Sequence, residues 1–328
     1  MNQPTTNTEN LKDAYRKVNL IGANSIGDVL DQGGGNWTAY PDSMMTTSGV
    51  DFPEHRGIVR DDNKFGLGVV KGRFEIINNP EAFTFFDTIV QDRQAEYKSY
   101  AEIDGGRKVI ITAKTPKIAD VRKGDPIQSE IKLINSFDGS TSFQVIFSVL
   151  RLVCTNGMTR KSKESVISIR HTKNKDARMQ DAYKILMGAN ASWEIFLTEC
   201  RTLAQKALDA QMVNQFISDL TAIKDEKPSQ LNGKPISQFN PVENYFTTLL
   251  GLNLNNLSTN KYNSACDIAN LTFTGKGNNG SSVWDLYSGT TEYYDHYRGT
   301  NPNKREKSSI IGSGATLKEK ALDLALAF

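Results

Sequence analysis

Residues 128–154 read QSEIKLINSFDGSTSFQVIFSVLRLVC, and the way this stretch pairs decides the fold. Two runs of alternating character flank FDGS at 137–140, and Asp-Gly between such runs is a strong hairpin signal, so the two are predicted to pair as antiparallel strands. In the second run Phe143, Val145, Phe147, Val149 and Val153 share one face, while Ile146, Leu150, Leu152 and Cys154 share the other. A strand apolar on both faces is a covered, central strand. It ends on a thiol, turns through Asn156 and Gly157, and continues into Arg160, Lys161 and Lys163.

Working outward, GRKVIITAKT (106–115) is a third strand, set off by turn residues at 116–126. FGLGVVKGRFEII (65–77) is strand-like, and after it Asn79 is placed as the cap and Pro80 in the first turn of a helix running to about Gln91. ESVISIRHT (164–172) gives a short strand with Ile167, Ile169 and His171 on one side. Nearer the start, a loose tail to about residue 10 leads into a short amphipathic helix through Leu11, Tyr15, Val18 and Leu20. A loop rich in Gly, Asp and Pro follows through QGGGNW and YPDSMM, and His55 reads as a loop residue. The three glycines at 33–35 lack the Walker spacing and its Lys-Ser/Thr, so they read as a turn rather than a phosphate cradle.

Beyond the strands the pattern changes period. Trp193, Phe196, Leu197, Cys200, Leu203, Ala207 and Met212 recur at three and four residues, which predicts one long amphipathic helix with Cys200 in the core. DEKPSQLNGKP (225–235) breaks it, and Asn240 with Glu243 forms a capping box for another helix. GKGNNGSS (275–282) is a loop, WDLYSGTTEYYDHY (284–297) an aromatic helical segment, and Thr316 with Glu319 caps a last helix, LKEKALDLALA. Strands first and helices afterwards predict an α+β fold: an antiparallel sheet in the N-terminal half packed against long amphipathic helices of the C-terminal half. The predicted regions are 1–50 (helix and Gly-rich loop), 51–178 (β-rich core) and 179–328 (mainly helical), integrated as one domain.

With 38% apolar residues the chain of 328 residues has enough to build a core, so a wholly disordered protein is excluded. Three scattered cysteines without a CxxC pair exclude a disulfide framework and a zinc knuckle, and fit a reducing compartment. The polar, acidic start lacks the basic n-region and apolar h-region of a signal peptide, and no apolar run has membrane length; a soluble cytoplasmic protein without a membrane partner is expected. A net charge of only +2 means that any polyanion partner must be read from local clusters.

Two such clusters exist. Residues 151–178 hold Arg151, Arg160, Lys161, Lys163, Arg170, Lys173, Lys175 and Arg178 against Glu164 and Asp176, eight minus two or +6. Arg298, Lys304, Arg305 and Lys307 follow directly on Trp284, Tyr287, Tyr293, Tyr294 and Tyr297. Cations neutralise phosphates and aromatics stack on bases, the pairing that single-stranded nucleic acid requires. The phosphate candidates are thus Arg160, Lys161, Lys163, Arg170, Lys173, Lys175, Arg298, Lys304 and Arg305, with Trp284, Tyr293 and Tyr294 either stacking on bases or packing. The competing chemistry is a metal- or thiol-dependent hydrolase built from Cys154, His171 and His296, with Asp295 orienting a histidine; neither an HExxH pair nor a glycine-flanked nucleophile supports it.

Arg151, Val153, Cys154 and Asn156 in R-x-V-C-x-N, the I-R-H-T of 169–172, and Thr291, Glu292, Tyr293, Asp295 and His296 in T-E-Y-x-D-H form an ordered set. With it the chain resembles the phage/plasmid-like protein family of unknown function, the domain of unknown function 932 family, over most of residues 50–328. The resemblance implies a mobile-element origin and a bacterial cytoplasm, and carries no assigned activity. The strand and helix order is also similar to that of single-strand annealing proteins that bind DNA as oligomers, an analogy of fold alone. The expectation is therefore a binding protein without a cofactor whose partner is single-stranded DNA, as a homo-oligomer, in recombination or replication. A host-protein partner engaged through residues 180–260 is the remaining alternative.

Overall fold

In the computed structural model, which describes residues 14–159, 166–173, 190–221 and 259–328, the protein is α+β, with a curled antiparallel sheet in the N-terminal half and helices in the C-terminal half. The described residues fall into two compact units. One takes them from Met1–Lys117, Gln128–Ser148 and Lys161–Trp193, the other from Ile118–Ile127, Val149–Arg160 and Glu194–Phe328. Among the described residues no helix is long and apolar enough to cross a membrane.

The first unit runs β1 (Tyr15–Asn19), α1 (Ile26–Gly33), β2 (Ala39–Met45), β3 (Asp51–Arg60), β4 (Gly66–Lys71), α2 (Asn79–Phe83), α3 (Asp87–Gln91) and β5 (Glu96–Ile103). There follow β6 (Lys108–Arg122), β7 (Asp125–Ser136), β8 (Phe143–Arg151), β9 (Asn156–Thr159) and β10 (Val166–Ile169), of which parts belong to the second unit. One sheet has the order β1-β5-β6-β7-β8-β10, with β9 beside β8, and a separate sheet has the order β2-β3-β4. The FDGS hairpin thus makes β7 and β8 neighbours, and β8 lies inside the sheet as its two apolar faces require.

Three sequence expectations are corrected here. Tyr15 to Asn19 is a strand, paired antiparallel with β5 from Tyr15↔Ile103 to Asn19↔Ser99, because tertiary pairing overrides a weak helical pattern over so few residues. YPDSMM and His55 lie on β2 and β3 instead of in a loop. Pro41 is tolerated because β2 is an edge strand, where a missing N–H breaks no ladder bond. The helix after β4 is capped at Asn78 rather than Asn79, and a 3₁₀ turn at Thr84–Phe86 separates α2 from α3.

The glycine triplet is a turn whose composition is set by packing. Gly34 adopts φ 66° and closes α1. A Cβ on Gly33 or Gly35 would come within 2.5 or 2.6 Å of Tyr100, so neither position admits a side chain. The unit's core gathers Leu30, Ile58, Leu67, Ile77, Phe83, Phe86 and Phe143.

The hairpin turn itself is pinned by Asp138, which accepts from Lys108 (2.7 Å), from the Ser136 and Ser140 hydroxyls (2.6 and 2.7 Å) and from the Ser140 amide (3.0 Å). Burial pushes this carboxyl up, and those four bonds outweigh it, bringing the pKa down to about 2. A depressed carboxylate stabilises the fold above its unfolded pKa of about 3.9, and the contribution is lost as pH falls through about 2. Allowing for solvent screening, about 1–2 kcal/mol rides on this group. Asp138→Asn is expected to lose that much at pH 7, with the gap to the unsubstituted chain closing near pH 2 in urea melts.

In the second unit, α4 (Asn190–Gln205, entering from the first unit), α5 (Ala210–Thr221), α6 (Thr259–Thr274) and α7 (Val283–Glu292) come first. A π-turn at Tyr293–Tyr297, α8 (Pro302–Ile311) and α9 (Ser313–Leu326) complete it. The single long helix of the sequence reading is two. At 206–209 the chain leaves the helix to bridge Ala207 with Ser282, supported by Leu208 N–H to Ser281 O (3.1 Å) and Val283 N–H to Lys206 O (3.0 Å). Cys200 is fully buried, as its place in the stripe predicts. The last helix starts three residues before Thr316, at Ser313. The break at 225–235 and the capping box at Asn240 lie outside the described residues.

Candidate functional site

The site of interest begins where β8 runs out. Arg151 occupies the face that otherwise holds Phe143, Val145, Phe147 and Val149, and its guanidinium is fully buried. It forks onto Asp125 with two bonds of 2.6 Å and donates to Asn278 Oδ1 (2.7 Å) and Gly277 O (3.0 Å). Asp125 also accepts from the Trp284 indole (2.9 Å) and pairs with Arg122 (3.2 Å), while Arg122 holds the buried Asp285 at 2.6 and 3.1 Å. Asp285 in turn closes a capping box with Ser282 at the start of α7. Two arginines and two aspartates thus tie the β6–β7 turn, the end of β8 and the 275–282 loop into one desolvated network.

The turn that follows is where residues of two of the three motifs, R-x-V-C-x-N and T-E-Y-x-D-H, meet. Thr155 has φ 58°, an unusual value for a β-branched residue, and its hydroxyl donates to Cys154 O at 2.7 Å. His296 places Nε2 3.1 Å from the same carbonyl. Asn156 reaches Ser288 O and Thr291 Oγ1 at 3.2 and 3.4 Å. Gly157 is gripped on both backbone groups: its N–H donates to Asp295 (2.7 Å), and its carbonyl accepts from Lys318 (2.8 Å). Lys318 completes its three donors with Asp295 (2.6 Å) and Ser309 Oγ (2.7 Å), and the Ser309 hydroxyl also contacts Asp295.

This geometry speaks to the thiol chemistry. Cys154 is buried, and desolvation outweighs the neighbouring Arg151 charge to push its pKa up to about 11, so it is a neutral thiol at physiological pH. His296 bonds the Cys154 carbonyl and Asp295 bonds Lys318. His171 belongs to the first unit, where it stacks on Phe74 (ring centroids 4.6 Å apart) with Nδ1 3.2 Å from Glu75 O. Among the described residues no group of three or more His, Cys, Asp or Glu side chains is placed to hold a metal ion. Glu292 is buried and its pKa is raised by desolvation, against the Lys276 amide that donates to it.

The predicted nucleic-acid residues before Arg298 divide three ways. Arg160, Lys161, Lys163, Lys175 and Arg178 lie outside the described residues. Arg170 and Lys173 are exposed just past β10. Trp284, Tyr293 and Tyr294 are buried: Trp284 is held by Asp125, Tyr293 by Ser264 (2.7 Å), and Tyr294 lies edge-on to Tyr293 with Arg298 over its ring. They pack, the second of the two roles allowed for them.

Within the aromatic segment 284–297, Tyr297 reaches solvent, 54% exposed. Helical spacing puts it on the same face as Tyr293. Tyr297 is the last residue of the π-turn, which Arg298 N–H closes onto Tyr293 O at 2.8 Å, and it stands exposed where the chain leaves the helix. Behind it Gly299 (φ 67°) reverses the chain, Asn301 caps α8 through the Lys304 amide, and Pro302 occupies the first turn. Lys304 is exposed, and Arg298, Arg305 and Lys307 are half-buried. Residues 298–307 hold these four cations and one carboxylate, Glu306, for a local charge of four minus one, +3.

Comparisons with curated proteins and with solved structures return no match. The family model for Domain of unknown function (DUF932) matches residues 66–311, a span that contains Arg151, Cys154, Asn156, Asp285, Glu292, Asp295, His296 and all of α8, and the chain belongs to that family.

Proposed function

We propose that this protein binds nucleic acid, single-stranded DNA first, and serves recombination or replication of a phage or plasmid. One observation carries the reading: an exposed aromatic, Tyr297, is followed within ten residues by Arg298, Lys304, Arg305 and Lys307 with a single carboxylate among them. A base has a ring to stack on, and the phosphates have a net positive surface at the N-terminal end of α8, where the helix dipole adds to the cations. Arg170 and Lys173 supply further exposed positive charge on the other unit. The polar network behind the turn is then scaffolding: Lys318 and Asp295 fix the π-turn from which Tyr297 projects.

Fluorescence anisotropy with labelled single- and double-stranded DNA and RNA across a salt series tests this. Affinity for single-stranded DNA is expected to fall steeply with salt, and Lys304→Glu with Arg305→Glu to flatten the log–log slope by roughly 1.4, two phosphate contacts at about 0.7 each. Tyr297→Ala is expected to remove roughly 1–3 kcal/mol of binding with the slope unchanged. Salt-insensitive binding, or full affinity in both variants, rejects the reading.

A further inference from the structure

A cleft of about 390 Å³ opens in the first unit beside the segment leading into α1, the end of α3 and the outer half of β6. Ala23, Val90 and Pro116 give it an apolar wall, and Arg93, Lys114 and Gln128 a polar one. Its volume is within the range of small-molecule sites. Lys114 is paired with Glu96 at 3.0 Å. Arg93 is exposed and has no ion-pair partner among the described residues, so the cleft carries one uncompensated positive charge.

The backbone at Arg93 makes that charge informative. Arg93 N–H bonds Val90 O at 2.9 Å and Gln94 N–H bonds Ile89 O at 3.0 Å, the paired closure of a helix whose next residue is left-handed. Arg93 is that residue, with φ 57°. Glycine is the usual occupant, because an L side chain there is strained. A cation does favour a helix C-terminus, but the last turn of α3 offers that benefit without left-handed backbone. Of the four non-glycine residues with positive φ among the described residues, Lys64, Arg93, Asp104 and Thr155, Arg93 is the one that lines this cleft.

We infer that this cleft binds a small organic anion, its phosphate or carboxylate head on Arg93 and its less polar body against Ala23, Val90 and Pro116. The site lies in the first unit and does not depend on nucleic-acid binding by Tyr297 and α8 in the second.

The test is thermal-shift and calorimetric titration of the full chain with thymidine 5′-monophosphate and with octanoate, each beside its uncharged counterpart, thymidine or octanol. At least one anion is expected to raise the melting temperature while its counterpart does not; the phosphate or the carboxylate arm then identifies the head group. Arg93→Gly relieves the left-handed strain, so it is expected to melt higher than the unsubstituted chain and yet bind the anion at least ten times more weakly. Lys304→Glu with Arg305→Glu is expected to leave the response intact. The inference is overturned if neither anion acts, if Arg93→Gly still responds, or if the response is lost in the α8 variant instead.

Discussion

Arg151→Ala is expected to lower stability by about 3 kcal/mol, read as a drop in the urea midpoint with the slope unchanged. Breaking a buried ion pair from one side typically costs about 3–5 kcal/mol, because the partner charge stays desolvated. Here that partner, Asp125, keeps Arg122 at 3.2 Å and the Trp284 indole at 2.9 Å, which places the loss at the lower end of that range. Asn278 Oδ1 and Gly277 O each lose a donor as well. Arg151→Lys retains the charge but not the fork that meets both Asp125 oxygens, and an intermediate loss is expected. Arg170→Ala, exposed and outside any such network, is expected to change stability by less than about 0.5 kcal/mol. A loss below about 1 kcal/mol for Arg151→Ala contradicts the arrangement around Asp125.

Lys318→Met is expected to cost about 2–4 kcal/mol. Methionine keeps much of the aliphatic length in a site that is nearly closed to solvent, so the cost is electrostatic. Asp295 retains only the Gly157 amide and the Ser309 hydroxyl, and the Gly157 carbonyl loses its donor. Adding Asp295→Asn removes the stranded charge, so the double variant is expected to be more stable than the sum of the two single losses predicts. Additive losses in denaturant melts contradict a direct Lys318–Asp295 pair. Under the nucleic-acid reading the same variant also loosens the π-turn, and its single-strand affinity is expected to fall alongside that of Tyr297→Ala.

The parts of the fold written locally were legible. Asp-Gly between alternating runs announced the hairpin, the doubly apolar 143–154 run announced an interior strand, and the 3.6-residue stripe put Cys200 in the core. What depended on distant partners was not. β1 takes its strand form from β5, and β2 admits Pro41 only because nothing pairs with its outer side in that sheet. The gap between α4 and α5 is bridged by residues 281–283, far downstream in the chain. Neither α6 nor α8 announced itself, since their sequences are polar and carry little amphipathic pattern.

The candidate site was half visible for the same reason. Segment 284–307 stood out as aromatic and basic, but helical periodicity does not tell which of its aromatics reaches solvent: Trp284, Tyr293 and Tyr294 are buried and Tyr297 is exposed. One signal was present and passed over: a lone arginine in an otherwise apolar strand, Arg151, needs a buried carboxylate, and the β6–β7 turn offers Asp125. The motif residues that suggested a thiol enzyme are mostly spent on holding Gly157 and the turn before it.

The second unit is assembled from three separated pieces of chain, Ile118–Ile127, Val149–Arg160 and Glu194–Phe328. Synthesis therefore delivers Arg122, Asp125 and Arg151 long before Asn278 and Asp285 exist, the Arg151–Asn278 bond alone closing a gap of 127 residues. A nascent chain paused before Asn278 holds Arg122, Asp125 and Arg151, three charges that the folded unit pairs and largely buries, still bathed in water, and folding of that unit waits on residues 278–285. Closing such wide loops is slow, and it ties maturation of this unit to the arrival of residues 278–285 rather than to that of β8.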